Sequence, residues 1–155
     1  DVPYCIMRGT ALAQGIGEKL SQLPPMVKCP VLIAKPSVSV STKFVYQNLK
    51  LDENTNHPDI DGLIAAIKKK DFPEICTKMG NVLESVTIPN YPVIAEIKEK
   101  MMEAGAAHAM MSGSGPTVFG LFEDEETAQR ARDVMKASGL ARQVYLTSIY
   151  NNRRK

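Results

Sequence analysis

The chain has 155 residues, of which 44% are hydrophobic and 23% charged, and its formal net charge is +2. This length and composition are typical of one globular domain with a hydrophobic core. The small net charge gives no sign of a nucleic-acid partner, and no apolar run approaches the roughly 20 residues that a membrane-spanning helix needs. The basic end, NNRRK, is typical of a solvated terminus. We therefore expect neither a nucleic-acid nor a membrane partner.

Cysteine and histidine usage argues against a metal site. The three cysteines are far apart and include no C-x-x-C pair, which favours free thiols in a reducing compartment. We therefore expect the chain to lie in the cytoplasm. His57 lies in a polar loop and His108 in a strand-like run, and neither is expected to be a metal ligand.

The beginning of the chain predicts short extended segments. Residues 4–8 and 10–14 predict two strands, with glycines around them. The stretch QLPPMVKCP then predicts a joint between two units, residues 1–25 and residues 26–155. The sequence starts at Asp1 without an initiator methionine and enters predicted strand at once, so we expect it to be a piece of a longer protein.

From residue 31 onward the predicted elements alternate between strands and amphipathic helices. Short β-branched runs predict strands, and capping residues followed by apolar residues at helical spacing predict helices. The four predicted strands cover residues 31–34, 107–111, 117–122 and 143–150. Predicted helices begin near Ser39, Ser41 or Thr42, at Asp59 and at Pro92, cover residues 71–79 and 81–86, and include EDEETAQRARDVMKASG.

This order of elements predicts the fold class. Strand, helices, strand, strand, helix and strand is the order of the split βαβ, ferredoxin-like arrangement. We therefore expect an α+β protein with an antiparallel sheet and helices on one face of that sheet. The extra helices between the first two strands make it an elaborated version.

A loop of small residues separates the two middle strands within HAMMSGSGPTVFGLFEDEE. In this Gly/Ser loop (Gly113, Ser114 and Gly115) the backbone is bare, and the N–H groups of such a bend can surround an anion. A plain hairpin turn explains the same residues. The loop also lacks the following helix that nucleotide-binding loops direct at a phosphate. From the residues alone, both interpretations stay open.

Three further residues are candidates for a site. Asp1 precedes Val-Pro at the start of a predicted strand and could face a cleft, although a solvated terminal acid is the simpler explanation. Thr42 and Tyr46 are four residues apart and share a helix face, where a hydroxyl and a ring could meet one flat ligand. A helix cap and a core tyrosine are the simpler explanation of this pair.

Several segments resemble a known family. DVPYCIMRGTALAQGIGEKL and MMSGSGPTVFGLF resemble the GHMP small-molecule kinases, and the likeness continues through KPSVSVST and GNVLE along nearly the whole chain. The opening Asp-Val-Pro and the closing SGSGPTVF are shared with other kinases of the family. RGTALAQGIGE and PSVSVST are similar to the member that acts on a cytidine diphosphate methylerythritol conjugate.

This resemblance implies ATP-dependent phosphorylation of the 2-hydroxyl of that conjugate. It also implies that the cytoplasm is bacterial, or that the compartment is the plastid stroma if the protein comes from a plant. Asp1 matches the family's catalytic aspartate, which accepts or orients the proton of the substrate hydroxyl. Thr42 and Tyr46 match positions that contact the cytidine end, with an aromatic ring near the base. The Gly/Ser loop matches the family's third motif, which packs against the phosphate-bearing part of the site.

The resemblance covers only the C-terminal half of the kinases of this family. The catalytic lysine and the glycine-rich loop that holds the ATP phosphates have no counterpart here, so ATP with Mg²⁺ is expected to bind mainly to the missing N-terminal half of the same protein. Residues 1–25 are then expected to be a remnant of the N-terminal lobe, whose exposed strands favour self-association. The chain alone is expected to be inactive, because the lysine and the ATP-binding loop that stabilise the charge of the transition state are missing.

Two alternatives stay open. The order of elements equally allows a non-enzymatic, ferredoxin-like ligand-binding module. The second alternative is another GHMP kinase, such as a mevalonate or homoserine kinase. The segment RGTALAQGIGE argues against this alternative, because it is similar to the member that acts on the cytidine conjugate. If the Gly/Ser loop forms a wall of the site, replacing Gly115 by Val is expected to impair substrate handling more than folding.

Overall fold

The computed structural model describes residues 2–53 and 55–151. The helices over these residues are α1 (Val2–Met7), α2 (Thr42–Asn48), α3 (Ile60–Lys69), α4 (Phe72–Lys78), α5 (Glu84–Asn90), α6 (Val93–Glu103) and α7 (Glu125–Ser138). The strands are β1 (Ala11–Gln14), β2 (Lys19–Gln22), β3 (Pro30–Lys35), β4 (His108–Met111), β5 (Val118–Leu121) and β6 (Gln143–Ser148). None of the described helices is both long enough and apolar enough to cross a membrane.

Four strands form one antiparallel sheet in the order β4-β5-β3-β6, and β1 pairs with β2 in a separate antiparallel hairpin. Strand β3 lies in the centre, with Val31 opposite Leu121 of β5 and Leu32 opposite Leu146 of β6. The third strand of this sheet in chain order thus lies between the first and the second, as in the split βαβ arrangement. The predicted α+β, ferredoxin-like fold class is confirmed.

The main hydrophobic core lies between one face of this sheet and helices α6 and α7. Alternate residues of β3 point to this face, and the two helices present apolar residues to it at helical spacing. Its members with no exposed surface include Leu32, Ala34, Val45, Ile94, Ile97, Met101, Met111, Val118, Phe122 and Ala128. Truncating a residue of this kind to Ala costs about 2–5 kcal/mol, so this core fixes the sheet that carries the loops described below.

The opposite face of the sheet is covered in part by α4. Val31 and Leu121 form a buried cluster with Cys29 and with Cys76 of α4. The prediction of helices on one face therefore holds for α6 and α7 but not for α4, because the second face of β3 and β5 is also apolar. The cysteines are free, as predicted. Burial, helped by the neighbouring Cys76, raises the pKa of Cys29 to about 11.

Two aspartate caps, of which Asp59 was predicted, show how local sequence sets the helix boundaries. Asp59 accepts a hydrogen bond from the N–H of Gly62 at 2.9 Å at the start of α3, and Asp124 accepts one from the N–H of Thr127 at 2.7 Å at the start of α7. Helix α7 ends at Gly139, whose φ of +70° is left-handed. These boundaries agree with the sequence predictions.

The first element differs from its prediction. Residues 4–8 were expected to be extended, but α1 covers Val2–Met7. Pro3 suits the first turn of a helix because its φ is fixed at a helical value, and the N–H of Arg8 donates to the carbonyl of Tyr4 at 2.7 Å. The predicted strand at residues 10–14 is confirmed by β1, whereas its partner β2 had no counterpart in the prediction.

The first elements connect to the remainder of the structure through the segment before β3. Thr10 Oγ1 accepts a hydrogen bond from the N–H of Met26 at 3.1 Å, and Asn151 Nδ2 donates to the carbonyl of Met26 at 3.0 Å. Met26 also packs against the cluster on the second face of the sheet. The division into residues 1–25 and 26–155 stays a prediction.

Candidate functional site

The Gly/Ser loop is a tight turn between β4 and β5. The N–H of Ser112 donates to the carbonyl of Thr117 at 2.8 Å, and the carbonyl of Ser112 accepts from the N–H of Gly115 at 3.0 Å. Gly113 and Gly115 have φ values of +55° and +88°, which side chains other than hydrogen rarely allow. The interpretation of these residues as a hairpin turn is therefore confirmed.

Side chains from outside the hairpin also hold this loop. Asn81 Nδ2 donates to the carbonyl of Met111 at 2.9 Å and to the carbonyl of Gly113 at 2.8 Å. Thr87 Oγ1 donates to the carbonyl of Ser114 at 3.1 Å, and Thr87 has no exposed surface. A plain hairpin turn requires none of these bonds, so the loop is held by α5 and by the segment that leads into it.

A carboxylate and an ammonium group support the last residue of β4. Glu84 Oε1 accepts a hydrogen bond from the N–H of Met111 at 2.8 Å, and Glu84 Oε2 bonds Lys98 Nζ at 2.6 Å. The nearby His108 is half-buried, and this burial, with the charge of Lys98, lowers the pKa of its imidazole, although Glu84 acts in the opposite direction. His108 is therefore neutral at physiological pH.

Thr42 lies against the Gly/Ser loop. Its Oγ1 is 2.8 Å from Ser114 Oγ, a contact between residues 72 positions apart in the chain. The cap of α2 is its neighbour Ser41, whose Oγ accepts a hydrogen bond from the N–H of Phe44 at 3.3 Å. Thr42 is thus the first residue of the helix and not its cap, and its hydroxyl is available to join the helix to the loop.

Tyr46 lies one helical turn beyond Thr42 on the same face of α2. Its side chain is 61% exposed, whereas Val45 has no exposed surface and is the residue of α2 that enters the core. The simpler explanation of Tyr46 as a core residue is therefore wrong. The exposed ring of Tyr46 and the hydroxyl of Thr42 therefore share one face of α2, and Thr42 connects that face to the Gly/Ser loop.

Asp1, the predicted catalytic residue, lies outside the described residues.

The two loop glycines differ in their surroundings. A Cβ at Gly115 would lie 2.7 Å from Met111 Sδ and 3.3 Å from Thr87 Cγ2, whereas a Cβ at Gly113 would have no atom within 4 Å. Replacing Gly115 by Val must therefore disturb packing as well, which contradicts the expectation of an effect chiefly on substrate handling. Gly113 is the better probe of the site.

A cleft of about 390 Å³ opens beside Gly115 and Pro116. Its lining includes the cationic residues Lys35 and Arg142, which are held side by side because the N–H of Arg142 donates to the carbonyl of Lys35 at 2.9 Å. Two positive charges next to the Gly/Ser loop favour an anionic ligand. Among the described residues, no group of three or more His, Cys, Asp or Glu side chains is placed to hold a metal ion.

Sequence reasoning missed the residues that hold the loop. GNVLE, which contains Asn81 and Glu84, resembles the family, but no function was predicted for either residue. One signal was available, because an asparagine and a glutamate three residues apart ahead of a helix are polar residues with local capping chemistry. Nothing local could show that their partners lie in the β4–β5 hairpin.

These features define a class of protein. The chain belongs to the GHMP kinases C-terminal family, which matches residues 63–140. That range runs from α3 to the end of α7 and contains the Gly/Ser loop with Asn81, Glu84 and Thr87. The resemblance to the GHMP kinases is thereby confirmed.

Individual relatives narrow the comparison. The 4-diphosphocytidyl-2-C-methyl-D-erythritol kinase of Lachnospira eligens is 60% identical over 150 residues, which are 97% of this chain and 52% of the relative. The protein of the same name from Lachnoclostridium phytofermentans is 54% identical over 153 residues, 99% of this chain and 53% of the relative. The chain spans about half the length of the curated relatives it matches.

Solved structures give the same picture of the fold. A crystal structure of 4-(cytidine 5'-diphospho)-2C-methyl-D-erythritol kinase has a TM-score of 0.78 and 26% identity over 96% of this chain and 52% of its own. A homoserine kinase from Cytophaga hutchinsonii has a TM-score of 0.79 over 99% of this chain and 52% of its own, at 24% identity. The second likeness shows a common fold alone.

Proposed function

We propose that this chain forms the C-terminal half of an ATP-dependent kinase that phosphorylates the 2-hydroxyl of 4-diphosphocytidyl-2-C-methyl-D-erythritol, in the non-mevalonate pathway of isoprenoid biosynthesis. The observation that carries the proposal is the 60% identity over 97% of the chain with the Lachnospira eligens protein of that name. Since the chain covers 52% of that relative, the proposal concerns the whole kinase and the share of this chain in its site.

In this proposal Thr42 and Tyr46 bind the cytidine end of the substrate. Support comes from the exposure of Tyr46, whose ring can stack on a base, and from the 2.8 Å contact of Thr42 with Ser114. That contact joins the proposed cytidine-binding face of α2 to the Gly/Ser loop. The loop then borders the phosphate-bearing part of the substrate, where bare backbone permits close approach.

The proposed reaction is a phosphoryl transfer. The oxygen of the substrate hydroxyl bonds to the γ-phosphorus of ATP while the bond from that phosphorus to the β-phosphate oxygen breaks, which releases ADP. Asp1 accepts the hydroxyl proton, a role proposed from its match to the family motif. Because the transition state is loose, positioning and charge stabilisation matter more than the strength of the base.

Mg²⁺ would neutralise charge on the phosphates of ATP when bound. We place ATP and Mg²⁺ mainly on the N-terminal half of the kinase, and the substrate between the two halves. We further propose that the kinase works in the bacterial cytoplasm. The chain alone is proposed to transfer no phosphate, and to self-associate through exposed strand edges such as those of the β1–β2 hairpin.

The experiment requires a whole kinase that contains this chain. We define the chimera as the N-terminal half of the Lachnospira eligens relative joined ahead of Asp1. At 60% identity the interface between the halves should be well matched. With ATP and the cytidine substrate, the chimera should release ADP in proportion to the product, whereas the chain alone and the Asp1→Asn chimera should release none above background.

The outcome that contradicts the proposal is a folded chimera without activity towards this substrate. A substrate panel with mevalonate and homoserine tests the alternative that the protein is another kinase of this family. Light scattering of the chain alone, with and without the separate N-terminal half, tests self-association. A monomer in the absence of the N-terminal half would contradict the proposed pairing of exposed strands.

A further inference from the structure

The peptide group that links Gly113 to Ser114 is held by one side chain from outside the loop. Asn81 Nδ2 donates to the carbonyl of Gly113 at 2.8 Å and to the carbonyl of Met111 at 2.9 Å. A side-chain amide has two N–H donors, and these two bonds use both. Its oxygen accepts a hydrogen bond from the N–H of Leu83 at 3.0 Å, which fixes the side chain on the segment that precedes α5.

The bond to Met111 is explained by the sheet. Strand β4 is an edge strand. Because the N–H of Ser112 bonds to Thr117, the residue before β5, the N–H and carbonyl of Met111 point away from β5. Glu84 accepts from that N–H and Asn81 donates to that carbonyl, so the two side chains take the place of a neighbouring strand. Edge protection accounts for this bond but not for the one to Gly113.

The second bond sets the direction of a backbone donor. The peptide group is planar and trans, so its N–H, which belongs to Ser114, points opposite to its carbonyl. With the carbonyl on Asn81, the N–H of Ser114 points away from Asn81, and no residue in the described ranges accepts a hydrogen bond from it. Thr87 holds the next carbonyl, and the N–H of Gly115 is already used by Ser112.

We propose that Asn81 is a positioning residue, which orients this peptide group so that the N–H of Ser114 donates to an anionic oxygen of the bound phosphate-bearing substrate. The inference rests on the proposed function for the identity of that ligand. Ser114 is well placed for the task because its own hydroxyl is fixed on Thr42, at the proposed cytidine-binding face. One residue thereby connects the two ends of the proposed substrate site.

The first test compares two asparagines of the same segment. Asn90 donates its side-chain amide to the carbonyl of Val86 at 2.8 Å. It is exposed whereas Asn81 is partly buried, and among the described residues it has no hydrogen bond to the loop. In the chimera, Asn81→Ala should lower kcat by about tenfold or more with little change in KM, the effect of losing a positioned donor. Asn90→Ala should stay within about twofold of the unmodified chimera.

Equal losses for Asn81→Ala and Asn90→Ala, or a kcat for Asn81→Ala within about twofold of the unmodified chimera, would overturn the inference.

A pH profile separates donation from packing. In Asn81→Asp the carboxylate can only accept, whereas its protonated form can donate to one carbonyl. The neighbouring charged and titratable groups on one side are Glu84, its partner Lys98 and, beside that pair, His108 of β4. In the cleft on the other side they are His57, Asp59 and Lys78. These groups are common to both proteins, so the ratio of kcat between Asn81→Asp and the unmodified chimera isolates the new carboxyl.

That ratio should rise as the pH falls from about 8 to about 5.5, because the two carbonyl oxygens and Glu84 favour the protonated carboxyl and raise its pKa. A ratio that does not change with pH would contradict the role of Asn81 as a donor.

A measurement without turnover keeps this inference distinct from the proposed function. In amide NMR spectra of the 155-residue chain, Asn81→Ala should shift the signals of residues 111–115, whereas Asn90→Ala should leave them in place. Unchanged signals would overturn the positioning role even if the chimera is active. An inactive but folded chimera would instead contradict the proposed function, and the NMR result would still decide whether Asn81 holds the loop.

Discussion

Substitution of Gly113 by Ala tests whether the open side of the Gly/Ser loop faces the substrate. Gly113 has φ of +55°, and an added Cβ would have no atom within 4 Å. Gly139, at the end of α7, is a matched control, because its φ is +70° and an added Cβ there would also have no atom within 4 Å. Both substitutions therefore impose the same backbone strain and the same absence of steric conflict within the chain.

The expected loss of stability is the same for both variants. Placing a residue with a side chain in the left-handed region costs about 1–2 kcal/mol. For a chain of this length, 1 kcal/mol corresponds to about 2–4 °C in Tm. The Tm values of Gly113→Ala and Gly139→Ala should therefore fall by similar amounts.

The effect on activity should differ between them. In the chimera, the methyl group of Gly113→Ala occupies space that the substrate phosphates are proposed to approach, and a displacement of about 1 Å costs up to about 100-fold in rate. We expect kcat/KM to fall at least about tenfold, while Gly139→Ala stays within about twofold. Equal kcat/KM values for the two variants would refute the placement of the substrate against the loop.

Three further predictions concern residues around the loop. Thr42→Val removes the hydroxyl contact with Ser114 and should raise KM of the chimera for the cytidine substrate about threefold to tenfold, measured by initial rates; an unchanged KM would count against its role. Burial holds the pKa of His108 below its usual range, so below about pH 6.5 the unfolded chain binds more protons than the folded chain. The stability that this burial leaves intact above that pH is therefore lost as the pH falls. In urea denaturation at about pH 7.5 and 5.5, His108→Asn should therefore lose less stability than the unmodified chain, and equal losses would contradict this. Gly115→Val should lower Tm more than Gly113→Ala does, because its Cβ would lie 2.7 Å from Met111 Sδ; an equal shift in a thermal scan would show that the core accommodates it.

The elements from β3 onward, apart from α5, could be predicted because their signals are local. Asp59 and Asp124 cap the helices that directly follow them, and Gly139 ends α7 with a backbone conformation that its own chemistry favours. The order of strands and helices then leaves few topologies, of which the split βαβ arrangement is one. The fold class therefore follows from features within a few residues of each boundary.

The beginning of the chain was harder because its local signals conflict. Pro3 allows either an extended segment or the first turn of a helix, and no residue of α1 is buried to favour one of them. Helix α5 begins at Glu84, later than predicted. The side-chain oxygen of Asn81 accepts a hydrogen bond from the N–H of Leu83, and this forms a turn where helix was predicted. In both places a short polar or cyclic residue decides the backbone conformation.

The candidate site could be predicted in part. Thr42 and Tyr46 share a face because of helical spacing alone, and the glycines of the loop are visible in the sequence. The bond between Thr42 and Ser114 joins positions 72 apart, and the bond from Asn81 to Gly113 joins positions 32 apart. Contacts of this kind depend on how α2 and α5 pack on the sheet, which no local pattern contains.

The proposed role of this chain is to supply the cytidine-binding part of a kinase site. This role is tested by kcat/KM of the chimera for 4-diphosphocytidyl-2-C-methyl-D-erythritol, with and without Tyr46→Ala. An exposed ring can be removed with little loss of stability, and stacking on a base contributes about 1–3 kcal/mol. We predict activity in the unmodified chimera and a fall in kcat/KM of about tenfold or more in Tyr46→Ala. An active chimera in which Tyr46→Ala leaves kcat/KM unchanged would contradict the claim.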